Sequence, residues 1–190
     1  MKSGRAAAAL AMALAGFGTY EVASAAWIHA KGWLAQELIA VAWDRASGAG
    51  APRPWPGADL KPIARLTVPS RHVSVFVLDE AHGRTLAFGP AHLGGTANPG
   101  APGNSVIVAH RDTHFAFLRD LAVDDEIELE PARGHRQRYR VRAFSVVDKH
   151  DLEVAEPSAS PRLTLVTCYP FDALMPGTPL RYVVVADRVA

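Results

Sequence analysis

The chain contains one cysteine, Cys168, and it closes a β-branched run, "RLTLVTC", residues 162–168. A thiol that only fills space can be replaced by Val or Ala, whereas a thiolate is a nucleophile that neither can replace. Two other polar side chains stand at the ends of apolar runs. His110 closes "NSVIVAH" (104–110), and Arg181 opens "LRYVVVAD" (180–187). Together these three types make a workable set. An ordinary cysteine, with a pKa of about 8.5, is mostly protonated near neutral pH. An imidazole beside it can take that proton and later return it to a departing amine. A guanidinium, which stays charged, can hold the oxyanion of a tetrahedral intermediate or orient the substrate carbonyl. If the strands carrying Cys168 and Arg181 are an antiparallel pair joined by "YPFDALMPGTPL" (169–180), the two side chains meet at one edge of the sheet.

The elements that must position this set are mostly strands. From about residue 60, strand-like runs follow in quick succession: 63–68, 72–78, 104–110, 126–130, 138–147, 162–168 and 180–187. They are rich in β-branched residues and punctuated by Pro, Gly and Asp. In "RYRVRAFSVV" the alternation predicts Tyr139, Val141 and Ala143 on one face and Arg138, Arg140 and Arg142 on a solvated other face. Residues 83–93 and 114–121 read as helical or irregular. Seven or eight short strands in so short a span predict a mainly β domain, a barrel or sandwich whose closure removes exposed edges.

Ahead of this domain, "MKSGR" and the apolar run of residues 6–20 have the layout of an export signal. Ala23 and Ala25 offer a small-residue cleavage site. The competing expectation is an uncleaved, single-pass anchor, with Lys2 and Arg5 held in the cytoplasm. Residues 1–30 are therefore read as signal peptide or signal anchor, and either reading exports the rest of the chain. Residues 25–46 predict a helical stalk on a stripe of Leu34, Leu38 and Val41, extended by Ile28 and Trp27. Its tryptophans, Trp27, Trp33 and Trp43, suit a membrane interface or packing onto the domain. Residues 47–59, rich in Gly and Pro, form a linker, and residues 60–190 form the catalytic domain.

Composition excludes some functions. The chain has 20 basic and 19 acidic residues and a formal charge of +1, with no block of like charge, so no nucleic-acid partner is expected. One cysteine makes no intramolecular disulfide. "HRDTH" places His110 and His114 four apart, a metal-pair spacing on a helix. The preceding residues are strand-like and no third ligand is evident, so no metal is expected. Asp124, Asp125, Glu126, Glu128 and Glu130 read as a solvated strand edge rather than a cation cage. Arg111 and Asp112 read as a surface or loop-fixing pair, and the six other histidines, His82 among them, receive no role.

Several segments resemble the sortases, membrane-anchored cysteine transpeptidases of bacterial surfaces. "TLVTC" (164–168) matches their TLxTC signature, and "PGNSVIVAHRDTHFAFLRDL" (102–121) is similar to their histidine segment. "RYVVVA" (181–186) resembles their arginine-bearing last strand, and "ARLTVP" (64–69) their first strand. The resemblance covers about residues 60–187 in the family's order. Ala109 departs from it, standing where many relatives have Gly. The signal, stalk and linker look most like sortases of Gram-negative proteobacteria.

This resemblance implies a closed eight-stranded β-barrel with short helices and a two-step reaction. Cys168 attacks a backbone carbonyl in the C-terminal sorting signal of an exported protein, and an amine resolves the thioacyl enzyme. His110 carries over as acid and base, and Arg181 as the oxyanion or positioning group. Thr167 and Tyr169 carry over as substrate-binding residues, with residues 148–161 and 169–179 as specificity loops. The implied partners are a Leu-Pro-containing sorting signal, an amine such as a peptidoglycan precursor, and the membrane through the N-terminus. The implied location is a single-pass anchor in the inner membrane, with the catalytic domain in the periplasm or outside the cell. No cofactor is implied, and calcium dependence, seen in part of the family, stays open. Two other readings of the residues stand beside this one: a hydrolytic cysteine peptidase of the cell envelope, and a non-catalytic, membrane-tethered adaptor that binds sorting peptides.

Overall fold

A computed structural model describes residues 2–45, 52–81, 83–132 and 134–189. Linker residues 47–51 and His82 lie outside the described residues. The strands are β1 (Pro62–Val68), β2 (Val73–Leu78), β3 (Ala91–His92), β4 (Asn104–Val108), β5 (Glu126–Pro131), β6 (Gln137–Asp148), β7 (Arg162–Tyr169) and β8 (Leu180–Arg188). They close into a barrel in the order β1-β2-β3-β4-β7-β8-β6-β5. Two neighbouring pairs, β2 with β3 and β4 with β7, are parallel; the rest are antiparallel.

Alternation sorts the side chains. Ala64, Leu66 and Val68 of β1 point inward and are fully buried with Ile127, Leu129, Leu163 and Leu165. Between them Arg65 faces out and pairs with Glu130. The other carboxylates of the acidic stretch are likewise matched with arginines. Asp124 meets Arg142, Asp125 meets Arg71, Glu126 meets Arg138, and Glu128 meets Arg136.

β6 departs from simple alternation. Tyr139 and Val141 are fully buried as expected, but Ala143 is exposed. The β6–β8 register shifts between Val141 and Ala143, and the extra residue turns the following side chains over. Phe144 thereby packs against the core and stacks on Tyr182 at 6.0 Å.

The strand β3 was hidden in a stretch read as helical or irregular. It has only two residues, too few for a period to show. The rest of that stretch makes a short 3-10 turn, Thr85–Ala87, and a second, Ala116–Asp120, falls within 114–121.

One helix, α1 (Lys2–Asp44), precedes the barrel. Its buried stripe is not the predicted one. Leu34, Leu38 and Val41 are exposed, whereas Gly32, Ala35, Ile39 and Ala42 are buried. Small residues let the helix backbone lie close to the barrel, and Gln36 exploits that closeness. β2 meets β3 only at Leu78, which leaves its edge open at Phe76. The Phe76 N–H donates to Gln36 Oε1 at 2.8 Å, and Gln36 Nε2 donates to the Phe88 carbonyl at 2.8 Å. Gly89 is needed here, because a Cβ on it would come within 2.7 Å of Gln36 Nε2. Trp43 adds a ring contact with Phe76 at 5.5 Å, while Trp27 and Trp33 are exposed.

The expectation of a single-pass anchor is corrected. Among the described residues no helix is both long and apolar enough to cross a membrane. α1 has the length, but its N-terminal half is dominated by Ala and Gly and carries Glu21. Alanine contributes little transfer free energy, and a charge near a bilayer centre costs about 2.5–3.5 kcal/mol.

Gln36→Ala leaves a strand N–H and a carbonyl without their partner, and should destabilise the protein by about 1–3 kcal/mol. Chemical denaturation checks this; a midpoint equal to that of the wild type would mean that solvent satisfies both groups.

Candidate active site

Register decides which side chains meet. Cys168 lies directly opposite Arg181 in the antiparallel β7–β8 ladder. Val166, two residues before the cysteine, pairs with Val108, two residues before His110. The Ala109 N–H donates to the Val166 carbonyl at 3.3 Å, carrying that parallel pairing one step further. Cys168 and Arg181 thus sit side by side on adjacent strands about 4.8 Å apart, and His110, two residues past the end of β4, continues the row on the other side of Cys168. Cys168 is a free thiol and half-buried, and His110 is exposed.

The row has an apolar floor. On the same outer face, Val106, Val166 and Val183 form a buried patch, with Val108 and Val147 packed beside them. Arg181 is held by its own backbone: Nη1 donates to the carbonyls of Thr178 at 2.8 Å and Leu180 at 2.9 Å. Its Nε and Nη2 make no hydrogen bond among the described residues, so both are free to donate to a ligand.

The Sortase domain family matches residues 66–189. The chain belongs to the sortase family. Its members are known cysteine transpeptidases. Sortase D of Bacillus subtilis (strain 168) is 27% identical over 125 residues, which is 65% of this chain and 62% of that protein. The chain therefore spans less than two thirds of that relative. Sortase C-1 from Actinomyces oris is 29% identical, with a TM-score of 0.62 over 70% of this chain and 76% of that one. A Clostridium perfringens Sortase D5 transpeptidase shares the fold at 24% identity, with a TM-score of 0.60 over 68% and 80% of the two chains.

In this sortase the other expected site residues stand on the opposite side of the barrel wall. Thr167 is buried, and its hydroxyl donates to the Ala109 carbonyl at 2.7 Å. That bond fixes the backbone immediately before His110 and leaves the hydroxyl little freedom for a substrate. Tyr169 stacks on Tyr182 at 6.1 Å and meets Phe171 edge-on at 6.2 Å. These aromatic rings close the mouth of the core behind the Cys168–Arg181 pair.

Three residues without a catalytic assignment in the sequence hold the site's surroundings. At the far end of β4, Asn104 is buried and accepts from Thr164 Oγ1 at 2.7 Å. Its Nδ2 donates to the carbonyls of Val154 and Glu156, each at 3.0 Å, fastening the β6–β7 connection against the outer face. A hollow of about 190 Å³ lies there, lined in part by Asn104, Val147, Glu153 and Val183. Arg111, next to His110, is buried and bonds to the β7–β8 loop. The sequence signal for both was a polar residue bordering an apolar strand, which by itself does not distinguish a buried anchor from a strand end in solvent.

His114 is the third. It lies between the site and α1, where a Cβ on Gly32 would sit 3.8 Å from its Nε2. Burial, and then the charge of nearby His110, lowers its pKa from 6.5 to about 4. The imidazole is therefore neutral at physiological pH. Between those two values the unfolded chain binds more protons than the folded one, so stability is fully present above pH 6.5 and falls as the pH drops towards 4. With allowance for partial solvent contact, the loss amounts to about 1–2 kcal/mol. His114→Gln should remove that share of the acid sensitivity. Denaturation curves at pH 7 and pH 4 test this, and an identical pH dependence in the two proteins would reject it.

Proposed function

We propose that this sortase is a transpeptidase that cleaves the C-terminal sorting signal of exported proteins through a thioacyl intermediate on Cys168. The observation that carries the reading is the direct pairing of Cys168 with Arg181, with His110 two residues past the end of the neighbouring strand β4.

The chemistry follows from those positions. The Cys168 thiol passes its proton to His110, and the sulfur adds to the scissile carbonyl carbon. The carbonyl electron pair moves onto oxygen, where Nε and Nη2 of Arg181 donate to it. Collapse of this intermediate re-forms the C=O bond and breaks the C–N bond. The departing amine takes the proton from His110, leaving a thioester. An acceptor amine then adds to the thioester and loses a proton to His110, and the sulfur leaves. The products are a new amide and free enzyme.

The valine floor supports an extended apolar substrate segment. A Leu-Pro sequence suits it: leucine gains from burial, and proline brings a fixed backbone with no N–H to desolvate. The acceptor is an amine, with a peptidoglycan precursor as the first candidate. The basic start, the helical stalk and the Pro-rich linker support a place among Gram-negative proteobacterial sortases. Residues 1–30 are read as the export signal and residues 60–190 as the catalytic barrel.

Intact-mass spectrometry with Leu-Pro-containing peptides tests the reading. The expected outcome is an adduct on Cys168 that an added amine discharges to a new amide. Discharge by water alone would point to a hydrolase, and binding without any adduct to an adaptor. Cys168→Ala should abolish the adduct while preserving the thermal midpoint.

Arg181→Lys should lower the acylation rate by about 10²-fold, because an ammonium cannot reproduce the donor fork. A rate equal to that of the wild type would remove Arg181 from the oxyanion role.

A further inference from the structure

Arg111 follows His110 directly in the chain, yet it does a different job. It is 7% exposed, and no carboxylate forms an ion pair with it among the described residues. A guanidinium taken from water without a counter-charge needs several well-placed acceptors. Arg111 finds all of them in the β7–β8 loop. Nη1 donates to Thr178 Oγ1 at 3.1 Å, and Nη2 donates to the carbonyls of Ala173 at 2.8 Å and Met175 at 3.0 Å.

The loop is anchored at its two ends, by Phe171 packed on the core and by the Lys149 N–H bonded to the Pro179 carbonyl at 2.7 Å, but its middle has little else to hold it. Leu174 is 98% exposed and Met175 is 74% exposed, so apolar burial does not seat its tip. Among the described residues, the segment from Ala173 to Thr178 receives side-chain hydrogen bonds only from Arg111 and Arg181. Both meet at Thr178. Arg111 bonds to its hydroxyl, and Arg181 Nη1 bonds to its carbonyl at 2.8 Å. One residue of the loop therefore links the neighbour of His110 to the residue opposite Cys168.

We infer that Arg111 is a positioning residue. By clamping the β7–β8 loop at Ala173, Met175 and Thr178, it sets the orientation of the Arg181 guanidinium beside Cys168. The consequence for turnover rests on the transpeptidase reading, but the clamp itself does not. Thr178 is the second half of the device, because its hydroxyl receives Arg111 while its carbonyl receives Arg181.

The test uses the full chain with Arg111→Lys, Thr178→Val and Thr178→Ser. Two readouts are taken: peptide acylation, and the ratio of Cys168 alkylation by iodoacetate to that by iodoacetamide. A guanidinium held beside the thiolate favours the anionic reagent, so that ratio reports Arg181 placement without any turnover. Arg111→Lys and Thr178→Val should lower the ratio about threefold or more, and reduce kcat for acylation about tenfold with KM changed far less. Thr178→Ser, which retains the acceptor oxygen, should restore both to within about twofold of wild type. Thr178→Val carries the test if Arg111→Lys does not fold, since Thr178 lies on the loop and not in the core. A wild-type ratio in Thr178→Val would overturn the inference. So would a lowered ratio that Thr178→Ser fails to restore, since the hydroxyl bond would then not be the link. A wild-type enzyme that loads no peptide, yet shows the same loss and rescue of the ratio, would refute the transpeptidase reading and uphold the clamp.

Discussion

The parallel ladder between β4 and β7 is the constraint from which the site follows. Strands joined by short turns cannot pair in parallel, so the chain between β4 and β7 has to make a long crossover. Here that crossover contains β5 and β6, which close the barrel against β1 and β8. Closure and alignment of the site are thus one event. A slip of one residue in β7 would move every side chain to the other face. Cys168 would turn into the core, and Thr167 would turn out beside Arg181. Fully buried Leu163 and Leu165 make such a slip costly, because their apolar surface would be exposed to solvent. The hydrophobic core therefore fixes the reactive row as firmly as it fixes the fold.

Around that row, satisfied buried polar groups define the loops. Asn104 fastens the β6–β7 connection, Thr167 fastens the backbone at Ala109, and Arg111 fastens the β7–β8 loop. Each polar group is costly to bury and finds its partners in only one arrangement. The two loops that wall the outer face are thereby tied to the two ends of β4. A loop held by hydrogen bonds rather than by a core can keep solvent-facing residues at its tip without losing its shape, as Leu174 and Met175 do.

Much of this was legible in the residues. Seven of the eight strands announced themselves by β-branched alternation, and the positions of Cys168 and Arg181 at facing strand ends followed from them. The family signature then supplied the barrel. What escaped had physical reasons. A strand of two residues has no period, and the bulge after Val141 exists only because β8 lies alongside it. The packing face of α1 was misread because, apart from Ile39, it is built from small residues and one glutamine, while the larger leucines point outward. Arg111 read as one of a surface or loop-fixing pair with Asp112, with nothing to say which loop it fixes. Its burial depends on a loop more than sixty residues away in sequence, and no local pattern encodes that contact.

The seating of α1 has a consequence for direction. The helix is continuous from Lys2 to Asp44, about 65 Å in length, and only its last turns rest on the barrel. Gln36 grips the barrel domain by two hydrogen bonds, one to Phe76 of β2 and one to the Phe88 carbonyl, so the barrel cannot swivel about the helix without breaking both. A domain on a limp tether samples every bearing, and its cleft meets partners by chance. This one inherits a heading: whatever fixes the axis of the helix also dictates which way the thiol is aimed.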